Sequence, residues 1–432
     1  MTALAYTLSV PTLLMSIFLL LRLRAPTGFM LWFPKLAAAS LSLLWGLTGL
    51  CGAVLGWLGG APLAVAAGAV GALCTAWYLT RIAFIKTGFD QAFGTRWPDR
   101  IDQPRKSQLV PRRWTLFLPD PKGLQVCWER DVVFAAVPGT GRDLLCDIWQ
   151  PSKGALTFGL ALVYLHGSAW TVLDKDIGTR PFFRHLVAQG HVVMDVAYRL
   201  CPEVDLFGMI GDVKRAIAWI KANSRRYRVG TDGIVLAGAS AGGHLSMLAA
   251  YAPYEPSLTP DDLAKENLLV RGVISYYGPS DLRALYFYTH QDRLISSPKI
   301  PIGQAEALKG FKKMANAGRL DMLLGGHPTE VPEIYDLASP ITHVRAGCPP
   351  MLLIQGEDDL ITPVEATRAL HRKLVEAGVP AVNVVSPATT HAFDLILPRI
   401  SPPAQSALYD VECFLVMLAY GGETDMDSAA GR

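Results

Sequence analysis

Charge is scarce in this chain. Asp, Glu, Lys and Arg supply 18% of its 432 residues, and none of them occurs from Met1 to Leu21. The seven cysteines (Cys51, Cys74, Cys127, Cys146, Cys201, Cys348 and Cys413) are odd in number, scattered and never spaced C-x-x-C. That pattern argues against a disulfide framework and against a cysteine-based zinc site. No H-E-x-x-H occurs, so neither a metal nor any other cofactor is expected. A net charge of +3, with no basic run interleaved with aromatics in the soluble part, speaks against nucleic acid as a partner. Internal repeats and low-complexity tracts are absent too, which leaves an ordinary folded chain, too long for one domain of average size.

What the N-terminal part does have is long uncharged apolar runs: Met1 to Leu21, Leu36 to Trp57 and Leu63 to Thr80. Each is close to the ~20 residues a helix needs to cross a bilayer core. The runs predict three transmembrane helices, at about 2–21, 36–57 and 63–80, in a membrane region spanning 1–83. A cleaved signal peptide is a poor alternative for the first run, because it has no basic n-region and Arg22 and Arg24 follow the apolar stretch. For the second and third runs a re-entrant hairpin is the alternative, since only Leu58 to Pro62 separates them. Arg22, Arg24 and Lys35 lie in the first connection, and Arg81, Lys86, Arg96 and Arg100 follow the third run. The positive-inside rule then puts the N-terminus outside and everything after Thr80 in the cytoplasm. The expected location is the bacterial cytoplasmic membrane, with membrane lipids as partners. Residues 84–130, charged and Pro-containing, read as a juxtamembrane linker whose basic residues rest on anionic lipid heads.

From 131 to 420 short apolar runs alternate with helical patterns, which predicts an α/β fold with a mostly parallel sheet and helices on both faces. The candidate strands are Val132 to Val137, Leu144 to Trp149, Leu160 to Leu165, Val192 to Val196, Ile234 to Leu236, Val270 to Tyr276, Met351 to Ile354 and Val382 to Val385. Helical periodicity marks Ile210 to Ala222, Pro363 to Glu376 and Ala404 to Leu418. An interval of more than seventy residues interrupts the alternation. It contains Tyr286, Phe287 and Tyr288 and the basic patch Lys309 to Lys313, and predicts a cap insertion at about 283–340 over the mouth of a site. Residues 421–432 read as a tail.

The most informative motif is Gly238-Ala239-Ser240-Ala241-Gly242, set between the apolar run ending at Ala237 and the helix-like stretch from His244. A G-x-S-x-G between a buried strand and a helix forces a sharp turn that holds the serine hydroxyl out toward a pocket. A serine needs a base, and the base needs an acid to fix its tautomer. His391, in Thr389-Thr390-His391-Ala392-Phe393, and an acid in Gly356-Glu357-Asp358-Asp359 follow in the order Ser, Asp, His.

On these residues the stretch from about Val132 to Leu418 resembles the bacterial esterase and lipase branch of the α/β-hydrolase superfamily. That branch is related to the hormone-sensitive-lipase-like and feruloyl-esterase-like carboxylesterases. Tyr198-Arg199-Leu200-Cys201-Pro202-Glu203, and Leu324-Gly325-Gly326-His327-Pro328 through Ala338-Ser339-Pro340, resemble recurrent segments of that family. The resemblance implies Ser240 as nucleophile, His391 as base and Asp359, three residues after Gly356, as the acid in preference to Asp358. His166-Gly167-Ser168-Ala169-Trp170 is similar to the family's H-G-G-G loop, which implies an oxyanion hole from the N–H groups of Ser168, Ala169 and Ala241. His166, Gly167, Gly238 and Gly242 support these motifs. Ser and Ala stand where glycine is usual, which puts the conformation of that loop in question. Glu357 and Asp358 are expected to face solvent, and Arg199 and Glu203 to brace a loop. The implied activity is hydrolysis of a carboxylic ester, with a lipid-derived ester suggested by the anchor. A peptidase or amidase of the same fold, and a catalytically silent receptor or scaffold, are the alternatives.

Overall fold

Eight apolar runs of the sequence become the eight strands of one sheet in the computed structural model, which describes all residues except 24–26, 108, 120, 122–125, 153–156, 158, 291–316 and 421–432. The strands are β1 (Val126–Val137), β2 (Arg142–Pro151), β3 (Ala161–Leu165), β4 (Val192–Ala197), β5 (Ile234–Ala239), β6 (Gly272–Tyr276), β7 (Met351–Gly356) and β8 (Ala381–Ser386). Their order is β1-β2-β4-β3-β5-β6-β7-β8. The hairpin β1–β2 and the β2–β4 pair are antiparallel, and every other pairing is parallel. The central strands β3, β5 and β6 are buried residue for residue. That is why they read as unbroken apolar runs and not as alternating ones.

Described helices of seven or more residues are α1 (Thr2–Leu20), α2 (Trp32–Ser40), α3 (Ser42–Leu58), α4 (Pro62–Ala83), α5 (Arg180–Ala188), α6 (Leu206–Ala222), α7 (Ala241–Tyr251), α8 (Leu282–His290), α9 (Ala317–Leu324), α10 (Pro332–Ala338), α11 (Val364–Glu376) and α12 (Pro402–Tyr420). One face of the sheet packs residues such as Met194 and Leu236 against Ile217 of α6 and Leu248 of α7. The other packs Leu162 and Ile354 against Phe183 of α5 and Phe414 of α12. The chain runs from β3 through α5 to β4, then back through α6 to β5. The strand order therefore reverses between β3 and β5, and the loops leaving their carboxyl ends meet in the crevice where α/β sheets hold ligands.

The N-terminal helices pack through small residues. Gly49 of α3 and Gly68 of α4 approach so closely that a Cβ on Gly68 would stand 2.5 Å from the Gly49 carbonyl oxygen. Hydroxyls join the same bundle: Thr12 Oγ1 lies 2.9 Å from Thr48 Oγ1, and Ser16 Oγ donates to the Gly71 carbonyl at 2.9 Å. Small residues and interhelical hydroxyl bonds are how helices associate in lipid, where apolar burial alone gives no preference for helix over tail.

Two boundaries differ from those the sequence suggests. The second apolar run is not one straight helix, because α2 and α3 meet at Leu41 with a bend of 74°. Among the described residues α1 and α4 are long and apolar enough to cross a membrane, and α2 with α3 makes a third span only if the bent pair is counted as one. The cause is tertiary: Trp32 and Leu36 of α2 join the apolar cluster on the sheet face carrying α12, which draws α2 out of line with α3. The segment 84–130 is likewise no loose tether. Phe89, Ile101, Val110 and Leu118 are buried. Arg113 clamps Asp410 of α12 with bonds of 2.7 and 2.8 Å, and β1 starts already at Val126. The interval expected to form a cap contains α8, α9 and α10 among the described residues, while its centre, including Lys309 to Lys313, lies outside them, as does the tail 421–432.

Candidate active site

Strand β5 ends on Ala239 and α7 begins on Ala241, so Ser240 alone makes the corner. Its backbone sits at φ 53°, ψ −120°, a region costly for any residue with a Cβ and kept only where the surroundings dictate it. They do so here through the Ser240 N–H, which donates to the Tyr276 carbonyl of β6 at 2.8 Å, and the Ser240 carbonyl, which accepts from His244 N–H at 3.0 Å. The flanking glycines are needed for space. A Cβ on Gly242 would run into the Leu165 carbonyl at the end of β3, and one on Gly238 would stand 2.5 Å from the Gly242 backbone. Gly242→Ala is therefore expected to destabilise the fold by more than about 3 kcal/mol, as overpacking against immobile backbone does, read as a lowered melting temperature or loss of folded protein. A melting temperature matching the parent would show that the corner can relax.

Strands β7 and β8 deliver the other two groups from neighbouring carboxyl ends. His391, buried in the loop after β8, directs Nδ1 at Asp359 in the loop after β7, 2.9 Å from Oδ2 and 3.2 Å from Oδ1. The carboxylate also accepts from Ile361 N–H (2.8 Å), Thr362 N–H (2.9 Å) and Thr362 Oγ1 (2.8 Å). Burial, the largest influence on Asp359, opposes its ionisation. The facing His391 and the Thr362 and Ile361 amides outweigh it together and hold the carboxyl below its ordinary range. Tyr277 packs beside the imidazole with ring centroids 4.3 Å apart. Ser240 and His391 both line a cavity of about 160 Å³, together with His166, Gly167, Ser168 and Ala169.

The loop after β3 explains its own departure from glycine. Tyr198 OH donates to the His166 carbonyl at 2.7 Å, so the 2.7 Å bond between Ser168 and Tyr198 has the serine hydroxyl as donor. Ser168 Oγ in turn accepts from Trp170 N–H at 2.9 Å. The hydroxyl is thus spent on bracing the turn, in which Ala169 and Trp170 hold positive φ of 46° and 60°, and the backbone of Ser168 and Ala169 remains at the cavity wall. Ala241 opens α7 directly behind Ser240. His166 stacks on Tyr198 at 4.5 Å. His244 accepts from Trp170 Nε1 at Nδ1 (3.2 Å) and so donates from Nε2 to the Ala338 carbonyl (2.8 Å). Burial lowers both imidazoles to about 4, so each stays neutral at physiological pH. Arg199 forks onto Asp212 at 2.8 and 2.7 Å, and Glu203 pairs with Arg142 at 2.7 Å.

The expectation that Glu357 and Asp358 face solvent is wrong. Asp358 is buried and ion-paired at 2.6 Å with Lys35, itself fully buried in α2, whose Nζ also reaches the Leu21 carbonyl. Burial pushes the Asp358 carboxyl up, with Lys35 opposing that rise. Glu357 takes Arg22 at 3.3 Å and Arg81 at 3.1 Å. Sequence reading also missed Trp32, which lines the cavity and donates Nε1–H to the His391 carbonyl at 3.3 Å. No local pattern signals a partner 359 positions away. Tyr288 of the cap flank, by contrast, lay in the segment expected over the site, and its hydroxyl donates to the Asp359 carbonyl at 2.7 Å.

Comparison with known proteins accords with this geometry. Residues 146–374 match the BD-FAE family. The chain is 30% identical to the probable carboxylic ester hydrolase LipM of Mycobacterium tuberculosis over 59% of its length and 54% of LipM. It is 28% identical to the esterase LipQ of the same organism over 76% of the chain and 73% of LipQ. The chain thus spans about half the length of LipM and about three quarters of LipQ. Among solved structures, esterase B of Lactobacillus rhamnosis superposes with a TM-score of 0.53 at 20% identity, over 82% of this chain and 99% of that one. A thermophilic esterase of Thermogutta terrifontis in its propionate-bound form gives 0.51 at 23%, over 69% and 95%. With its mostly parallel sheet, its serine corner after β5 and a matched stretch that covers more than half of its length, the chain belongs to the BD-FAE family and has the α/β-hydrolase fold.

Proposed function

We propose that the chain is a membrane-anchored serine carboxylic ester hydrolase working through an acyl-enzyme, with residues 1–83 as the anchor and the sheet domain as the catalyst. The observation that carries this reading is the buried Asp359–His391 pair at 2.9 Å in a cavity shared with the strained Ser240. Asp359 keeps the proton of His391 on Nδ1, which leaves Nε2 as the base for the Ser240 hydroxyl. Ser240 Oγ attacks the ester carbonyl as its proton passes to Nε2. The tetrahedral oxyanion is held by the N–H groups of Ser168, Ala169 and Ala241, and such donors contribute roughly 3–4 kcal/mol each to the transition state. Collapse expels the alcohol, which takes the proton back from His391. Water, activated by the same imidazole, then releases the acid. No step calls for a cofactor. The names of LipM and LipQ favour an ester over an amide, and parallel assays of matched aryl esters and anilides separate the two.

A fluorophosphonate probe should label the detergent-solubilised full chain at Ser240, and hydrolysis across an acyl-length series should then report the depth of the cavity. Failure of both labelling and ester turnover in folded protein would overturn the proposal.

For orientation, Arg22 and Arg24 after α1 and the basic residues following α4 favour the cytoplasmic side for the catalytic domain. Protease added outside sealed cells or right-side-out vesicles should leave that domain intact, and its digestion with membranes still sealed would reverse the assignment.

A further inference from the structure

The anchor does more than tether. Both α1 and α4 end over the acid loop, where Arg22 and Arg81 converge on Glu357 at 3.3 and 3.1 Å, and Lys35 of α2 is buried against Asp358 at 2.6 Å. The two long apolar helices therefore stop at the loop that carries Asp359. The bend of 74° turns α2 away from α3 and brings Trp32 into the cavity wall, bonded to the His391 carbonyl. Val172 and Leu173 line the same cavity. Leu173 is 55% exposed, and beside Trp32 lie Phe33, stacked on it at 5.5 Å and 59% exposed, and Met30, 53% exposed. Exposed apolar side chains thus stand at the cavity in Leu173 and next to its lining residue Trp32 in Met30 and Phe33, an arrangement that water disfavours and a bilayer surface satisfies. The volume sets a second constraint. A cavity of about 160 Å³ is near the ~150 Å³ that accommodates a benzene-sized group, so only a compact part of an ester fits inside.

From these observations, and resting on the esterase reading above, we infer that the mouth of the cavity opens at the bilayer surface and that the substrate is a membrane-embedded ester. Its compact end enters beside Ser240 while its long apolar chain stays in lipid along Met30, Phe33 and Leu173. Trp32 is then a positioning and selecting residue that the membrane region contributes to the site, and the anchor and the catalyst form one unit.

Two measurements on the full chain in phosphatidylcholine vesicles test this. The first does not depend on catalysis: irradiation of vesicles containing a diazirine-bearing phosphatidylcholine should leave adducts on peptides carrying Met30 to Phe33 and Val172 to Leu173. Adducts confined to α1, α3 and α4 would overturn the inference. The second compares hexadecyl butyrate dissolved in the vesicles with 4-nitrophenyl butyrate in water. The Met30→Ser/Phe33→Ser variant should lose about tenfold in kcat/KM on the vesicle ester, the effect of about 1.4 kcal/mol of apolar contact, with hydrolysis of the soluble ester within about twofold of the parent. Equal effects on the two esters would also overturn it. If the unaltered chain hydrolyses neither ester, the esterase reading fails instead, and the photolabelling alone decides where the mouth lies.

Discussion

Replacing Ser240 with alanine is expected to lower kcat on a short-chain aryl ester by about four orders of magnitude or more and to leave the melting temperature unchanged. The kinetic part follows from chemistry. On the proposed mechanism no acyl-enzyme forms without Oγ, and the residue of activity would come from water attacking a carbonyl polarised by the Ser168, Ala169 and Ala241 amides. The thermal part follows from geometry. Alanine at φ 53° meets the same backbone constraint as serine, and the bonds that hold the corner, to the Tyr276 carbonyl and from His244 N–H, use only main-chain atoms. Steady-state kinetics and a thermal melt on the same preparation check both halves. Full turnover by a folded variant would remove Ser240 from the chemistry.

The parts of the site set by local sequence were legible, and those set by contacts across the chain were not. The apolar runs of β3, β5, β6 and β7 announced strands most plainly, because parallel strands buried on both faces carry little else. The serine corner was equally plain, since only small residues fit where Gly242 passes the end of β3. Hydropathy along Leu36 to Trp57, however, could not show a break at Leu41, because its cause is the docking of Trp32 and Leu36 on a sheet more than a hundred residues further on. The same blindness affected charge. Lys35 counted as a loop cation and Asp358 as a surface carboxylate, yet each is buried because it has the other. The segment 84–130 read as linker since its apolar residues have no regular period; its described helices are about one turn long, such as Phe89–Phe93 and Trp97–Arg100, and their aromatic rings pack on one another and on Phe414 of α12.

That buried pair changes what adjacent carboxylates should do. Asp359→Asn is expected to reduce kcat by about four orders of magnitude, because an amide neither stabilises the imidazolium nor holds the productive tautomer. Asp358→Asn acts elsewhere. It leaves the ammonium of Lys35 without its counter-charge in a fully buried position, and breaking one side of a buried pair costs about 3–5 kcal/mol. The loss should appear as a lower melting temperature and a smaller titratable fraction. The kcat per fluorophosphonate-reactive site should stay within about tenfold of the parent, since Asp359 keeps its bonds from Ile361 and Thr362. Replacing both partners, Lys35→Met with Asp358→Leu, should recover most of the stability, because two apolar side chains of similar size no longer bury a charge. Melting curves and active-site-titrated kcat for the three variants separate the roles. A loss of orders of magnitude in kcat per site at Asp358, with a near-normal rate at Asp359, would transfer the acid's role to Asp358.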